Sequence, residues 1–361
     1  MHRPSGWVGR ARLADAVGLL AGFALDAVLG DPERGHPVAG FGRAAAFLER
    51  RLYAPTRLAG ARYATLAVGV PVAGAAAAAA LTRRHPAARA ALVAVTTWAV
   101  LGGRTLRREA AVMAGALERG DVPAARARLN HLCGRDPSRL DERELARATV
   151  ESVAENTSDA VVAPLFWGAV AGLPGLVGYR AANTLDAMVG HRSARYARFG
   201  TAAARLDDAL NLAPARLTAL LTIAAAPLVR RERAEAWRVW RRDHADHPSP
   251  NAGHCESAMA GALGVRLGGR NVYFGQSDVR PLLGDGPRPT APHIRRAARL
   301  SGAVGLAAVG LAAVGLAAVG LVAVGIAAAA SASASAGSAS AGSASAGLAA
   351  AVGFTRRAAG S

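Results

Sequence analysis

Apolar and polar positions alternate along this chain in long blocks and not at the two-residue period of a strand. Apolar runs cover about residues 13–30, 64–81, 86–103, 160–177, 212–229 and 300–330. The first five approach, and the last exceeds, the ~20 residues that cross a bilayer core as a helix. The pattern therefore predicts an all-α fold, a polytopic membrane bundle with helical cytoplasmic loops. Between residues 104 and 150 the pattern changes: Leu106, Met113, Leu117, Leu129 and Leu132 recur at helical spacing among arginines, with breaks at Gly120 and Pro137. This stretch reads as a soluble helical insert, and residues 230–290 read as a polar loop. Residues 1–300 thus form one membrane domain. A last apolar helix at 300–330 follows, built on a GLAAV repeat, and residues 331–361 form a low-complexity Ser/Ala/Gly tail.

Prolines mark two of the spans. The fourth is interrupted by Pro164 and by the pair Pro174 and Gly175, so a kinked or re-entrant helix is as good a reading as a clean crossing. That leaves the topology of residues 160–211 open. In the fifth, Pro214 stands near the expected start, where a missing backbone donor costs little. The first span carries Asp15 and Asp26. Eleven residues at about 100° each bring both to one azimuth, which is expected to face protein and not lipid.

Charge sharpens the membrane reading. Every one of the 43 basic residues is Arg, and the formal charge is +18. The arginines stand in blocks between apolar runs with little aromatic interleaving, which argues against nucleic acid. Positive loops flanking spans place residues 104–147 and the Arg230–Arg242 block in the cytoplasm. Cys133 and Cys255 form no paired motif. With no Lys there is no P-loop.

Candidate chemistry begins at ESVAENTSDAVVAP, residues 151–164, where Glu151, Glu155 and Asp159 fall at i, i+4 and i+8. Like charges at that spacing repel, so a positive partner is expected. Four more groups carry polar side chains: Asp31, His36 and Arg43 after the first span; Asn183 and Asp186; Asp207, Asp208 and Asn211 beside Arg205 and Arg216; and HPSPNAG, residues 247–253, followed by Glu256. Carboxylates and amide carbonyls are hard oxygen donors suited to Mg²⁺. Arginines suit phosphate or carboxylate groups.

The segments LGDP, HPV, ESVAENTSDAVVAPLFW, YRAANTLDAMVG, RLDDALNLAPARLTALL, HPSPNAG and ESAMAGALGVRLGG, in this order over residues 13–300, resemble the CobD/CbiB family of cobalamin biosynthesis. His254 and Cys255 depart from the family pattern, which often has an aromatic residue and a proline there. The resemblance implies an adenosylcobinamide-phosphate synthase, in which aminopropanol or its phosphate is joined by an amide bond to the remaining propionate of (adenosyl)cobyric acid. An acyl phosphate made from ATP is the usual activated carboxyl, which calls for ATP with Mg²⁺.

On that implication Glu151, Glu155 and Asp207 are expected in catalysis, with His36 or His247 taking the amine proton. Arg205, Arg216, Asn183, Ser249 and Asn251 are expected to hold substrate or phosphate, and Asp159, Asp186 and Asp208 the metal. The partners are the corrin substrate, the amine and the lipid bilayer, with a homo-oligomer or association with other late cobalamin enzymes. A membrane transporter, or a non-catalytic membrane scaffold for the corrin pathway, is the alternative class.

Overall fold

The computed structural model describes residues 5–31, 35–191, 193–273 and 276–357. Helices follow one another as α1 (Ser5–Leu29), α2 (Pro37–Leu52), α3 (Arg57–Leu81), α4 (Pro86–Val100), α5 (Gly103–Glu118), α6 (Val122–Leu129) and α7 (Glu142–Thr157). A π turn, Ser158–Val162, leads into α8 (Ala163–Leu185), and a second π turn, Asp186–Gly190, ends it. Then come α9 (Thr201–Ala225), α10 (Arg233–Asp243), α11 (Ala252–Leu263), strands β1 (Leu267–Tyr273) and β2 (Gln276–Leu283), and α12 (Ala291–Arg357). Five helical stretches are long and apolar enough to cross a membrane: Arg57–Leu81, Pro86–Glu118, Glu142–Gly190, Thr201–Val229 and Ala291–Gly325. They contain the apolar runs at 64–81, 86–103, 160–177 and 212–229 and most of 300–330. The run at 13–30 lies in α1.

Three packed cores divide the molecule. One joins α5, α6 and α7 to the distal half of α9, to α11, to the hairpin and to the start of α12. A second joins α1, α4, both arms of α8 and residues 304–316 of α12. The third joins α2, the start of α3 and the turn between α8 and α9. Asp15 and Asp26 are both buried, as their shared azimuth predicts. Arg89 binds Asp15 with Nε at 2.7 Å and a terminal nitrogen at 2.9 Å.

Residue 172 turns the fourth apolar segment back on itself. Gly172 has φ 63° and ψ −145°, a region essentially closed to residues with a Cβ. In a continuous helix Trp167 and Gly175 would be ~12 Å apart. Here a Cβ on Gly175 would overlap the Trp167 carbonyl oxygen, and Gly168 meets Leu176. The two arms of α8 therefore lie side by side, and the re-entrant alternative is the one the chain adopts. The break falls at Gly172, two residues before Pro174, because glycine admits the reversal while proline starts the returning arm with its φ preset.

Two other expectations are corrected. Pro214 lies inside α9, because the helix begins at Thr201, well before the apolar run. The carbonyl that its missing N–H leaves open is that of Leu210, and the Trp167 indole donates to it at 2.9 Å. The polar loop at 230–290 holds two helices and an antiparallel hairpin, with α11 buried along its whole length. The Ser/Ala/Gly tract continues α12 to Arg357, since alanine is the strongest helix former. Residues 358–361 lie outside the described part.

Candidate active site

Folding back at Gly172 gathers the polar clusters. Asp159 and Asn183 would stand ~36 Å apart in a straight helix, yet Asn183 Nδ2 lies 3.5 Å from Asp159 Oδ2. The same amide nitrogen lies 3.3 Å from Asp207 Oδ1 on α9. Asn211, one turn along α9, donates to Asp207 Oδ2 at 3.0 Å, and Tyr179 donates its hydroxyl to Asn211 at 2.9 Å. Each oxygen of Asp207 thus has an amide donor, in a position only 8% exposed. Asp159 and Asp207 face one another across an amide with no cation between them among the described residues.

Asp186 and Asp208 flank this pair and act on each other electrostatically. The Asp186 carboxylate folds over Gly190, where a Cβ would overlap it. The carbonyl of Asp208 accepts from Asn251 Nδ2 at 2.8 Å, which pins the 247–251 loop to α9. Ser249 Oγ accepts from the backbone N–H groups of Asn251 and Ala252 at 3.3 and 3.1 Å. Ser249 therefore shapes the loop. Asn251 Oδ1 is buried and has no partner among the described residues.

A second group lies beside Glu155. Glu256, on buried α11, is pushed well above the usual carboxylate range by burial and by Glu151 and Glu155. It shares a hydrogen bond with Glu155. His247 stands 3.7 Å from Glu256, and Arg280 approaches its Nε2 at 2.7 Å. The Ser249 N–H donates to His247 Nδ1 at 3.0 Å, so both ring nitrogens face donors. Burial, then Arg280, lower the His247 pKa.

Glu151 is engaged elsewhere. Its carboxylate pairs with Arg135 at 2.5 Å and Arg147 at 3.2 Å, and accepts the Gly268 N–H at 2.7 Å. Gly268 sits at the irregularity between Leu267 and Gly269 with φ 81°, which aims its N–H out of the ladder. Arg147 also donates to Asn271 Oδ1 at 3.0 Å and to the Arg270 carbonyl at 2.9 Å. This network ties the hairpin to α7, and the positive partners that ion-pair with the acidic ridge, Arg135 and Arg147, are found at Glu151.

The sequence-predicted residues therefore separate. Asp159, Asn183 and Asp207 come together, with Asp186 and Asp208 alongside; Glu155 lies near them, paired with Glu256. Arg205 is exposed on α9. Arg216 is exposed too and donates to the Leu212 carbonyl of its own helix at 2.8 Å. His36 caps α2, its Nδ1 accepting the Val38 N–H at 3.2 Å. In neutral imidazole that leaves Nε2 as a donor.

Sequence reasoning passed over Arg180, whose terminal nitrogen lies 3.5 Å from Asn183 Oδ1. Its signal is a lone arginine in the apolar stretch GLVGYRAA, where an ionisable residue marks a site by default.

The donor set bears on metal binding. Mg²⁺ is commonly held by one or two carboxylates, with water and substrate phosphate completing its shell. Asp159 and Asp207, two hard anionic donors converging on one amide, fit that pattern. No group of three or more His, Cys, Asp or Glu side chains positioned to hold a metal occurs among the described residues.

Comparison with known proteins gives the lineage. The family described as CobD/Cbib protein matches residues 19–301. The chain is 54% identical over 290 residues to "Cobalamin biosynthesis protein CobD" of Mycobacterium tuberculosis, covering 80% of this chain and 92% of that protein. Proteins of the same name from Geobacter metallireducens and Rhodobacter capsulatus are 46% and 42% identical over 277 and 290 residues. Those alignments cover 75% and 78% of this chain, and 87% and 91% of the relatives. No solved structure matches the chain. A match over residues 19–301 takes in the re-entrant helix, the carboxylate pair and the loop behind them, and so the chain belongs to the CobD/CbiB family of cobalamin biosynthesis proteins.

Proposed function

We propose that this membrane-embedded cobalamin biosynthesis protein is an ATP-dependent acid–amine ligase. It joins aminopropanol, or aminopropanol phosphate, to the remaining propionate of (adenosyl)cobyric acid, giving (adenosyl)cobinamide or its phosphate. The observation that carries this reading is the carboxylate pair Asp159 and Asp207 held on the single amide of Asn183. An anionic pair of this kind fits a step in which a cationic amine and a phosphoryl group meet. Arginine blocks around the soluble core favour a cytoplasmic site at the inner membrane.

Amide formation needs the propionate oxygen to attack a phosphorus of ATP, with the nucleotide leaving. The amine then attacks the acyl carbon, phosphate departs and a proton is lost from nitrogen. Mg²⁺, when bound, would neutralise charge on the transferring phosphoryl group, and Asp159 would hold it. The proton acceptor we assign is Asp207, whose carboxylate lies on the same Asn183 amide. The acceptor nitrogens of His36 and His247 are already taken, by the Val38 N–H and by Arg280. Glu151 braces the hairpin.

The test uses the purified protein in lipid nanodiscs with adenosylcobyric acid, aminopropanol phosphate, ATP and Mg²⁺, with the corrin product followed by mass spectrometry. Product that requires ATP and Mg²⁺ and is lost in Asp207→Asn supports the ligase. Bound corrin with no product under any of these conditions overturns it in favour of a scaffold whose partner activates the carboxylate.

A further inference from the structure

A cavity of about 280 Å³ opens between the start of α2, the middle of α3, α4 and the returning arm of α8. Its walls are apolar, with Val38, Phe41, Pro71, Val95 and Val177 among them, and Arg180 is the one charged residue of that lining. Arg180 Nε is buried and has no hydrogen-bond partner among the described residues. Its terminal nitrogen reaches Asn183 only at 3.5 Å, longer than an ordinary N–H···O bond. The carboxylates of Asp31 and Asp159 lie within electrostatic reach.

A guanidinium carries five donors in a planar fork, and leaving the Nε–H of this one buried without a partner is costly. The cavity therefore asks for an anion. Beyond Arg180, through Asn183, stand Asp159 and Asp207, which ask for a cation. Ligand pockets for drug-sized molecules run to about 300–1,000 Å³. This one is too small for a corrin ring and suits a short aliphatic molecule. A propionate arm would meet the arginine and leave the acids unmatched, whereas an aminoalkyl phosphate matches both ends.

We propose that this cavity binds the amine substrate in its phosphorylated form, with Arg180 holding the phosphate and the ammonium directed past Asn183 toward Asp159 and Asp207. The proposal deepens the ligase reading and rests on it for the identity of the amine. It replaces Arg205 and Arg216 as the phosphate-binding residues.

Calorimetric binding of aminopropanol phosphate, aminopropanol and inorganic phosphate to the full chain in phosphatidylcholine nanodiscs tests this without corrin or ATP. The wild type should bind aminopropanol phosphate most tightly. Arg180→Gln should weaken it about 10- to 100-fold, as loss of a charge-assisted bond does, while changing aminopropanol binding little. Arg180→Lys should recover part of the loss, since it keeps the charge without the fork.

Should Arg180→Gln fail to fold, Val177→Trp fills the cavity and leaves the arginine in place. It should abolish the same binding. Unchanged affinity in a folded Arg180→Gln or Val177→Trp variant overturns the proposal. So does an Arg180 effect seen only with phosphatidylglycerol in the disc, which would make the site one for a lipid headgroup. Failure of amide synthesis with aminopropanol phosphate still bound through Arg180 would sink the ligase reading and leave this site standing. Robust synthesis with an unchanged KM for the amine in Arg180→Gln would do the reverse.

Discussion

The indole nitrogen of Trp167 donates to the carbonyl of Leu210 at 2.9 Å, the one carbonyl of α9 that Pro214 cannot serve. Trp167→Phe keeps an aromatic ring and removes the donor. Leaving a largely buried carbonyl unpaired costs about 1–3 kcal/mol, so the variant should unfold at lower temperature in detergent. Pro214→Ala restores a backbone donor and should return most of the loss. A double mutant no more stable than Trp167→Phe alone would show that the indole is not supplying the missing bond.

Asp159 and Asp207 place like charges on one amide, in or near the protein interior. Asp207→Asn removes one charge with little change of shape. Turnover should fall at least about 100-fold, as for loss of an electrostatic group at a reacting centre. Thermal stability should hold or rise, because the repulsion is relieved. Kinetics and melting measured on the same preparation decide it, and loss of both together would mark a structural residue.

Glu151 should behave in the opposite way. Removing one partner of a buried ion pair costs about 3–5 kcal/mol, since the remaining charges stay buried and unmatched. Glu151→Gln strands part of the charge of Arg135 and Arg147 and weakens the bond from Gly268. The expected result is a low yield of folded protein, whose properly folded fraction retains its kcat. A stable variant without activity would return Glu151 to the reacting groups.

His254 sets a pH limit on stability. Burial first, then the positive charges of Arg216 and His244, lower its pKa from 6.5 to about 4. Its Nδ1 accepts the Trp240 indole N–H at 3.1 Å, a bond that protonation breaks. The unfolded chain therefore binds this proton below pH 6.5, while the folded chain resists until about pH 4. Stability is present above the unfolded value and is lost as pH falls through that window, by up to about 3 kcal/mol at 1.36 kcal/mol per unit. Unfolding midpoints from pH 7 to 4 should fall less steeply in His254→Gln than in the wild type.

Gly172 is the apex on which the site depends. Alanine at φ 63°, ψ −145° is expected to cost about 1–3 kcal/mol. Any relief by straightening α8 would carry Asn183 away from Asp159. Gly172→Ala should thus lose stability and turnover together, whereas Gly74→Ala, which meets nothing within 4 Å, should lose neither.

The membrane bundle was legible in the sequence because burial in lipid demands long apolar runs whatever their contacts. Proline and glycine in residues 164–175 announced a break in the fourth segment. Choosing between a kink and a reversal required contacts such as Gly175 against Trp167, which no local pattern encodes. Pro214 was read as a helix start because its cost depends on a donor 47 residues away in sequence. The acids of the site were visible as clusters. Their division into a spent Glu151 and a strained Asp159–Asp207 pair was not, since Arg135 and Gly268 reach Glu151 only through tertiary packing. Arg180 was overlooked because it stands alone, and its meaning lies in the cavity wall around it.

The π turns at Ser158–Val162 and Asp186–Gly190 each hold one residue more than the surrounding helix would use. The first acts as a phase clutch. Helix α7 must present its apolar face to the soluble core, and α8 must present its own to the membrane core. A single continuous helix would have to satisfy both with one rotational setting. The surplus residue at Ser158–Val162 lets the two settings differ, and Asp159 is carried on that clutch. One deleted residue there would re-engage it and swing Asp159 out of register by roughly a quarter turn.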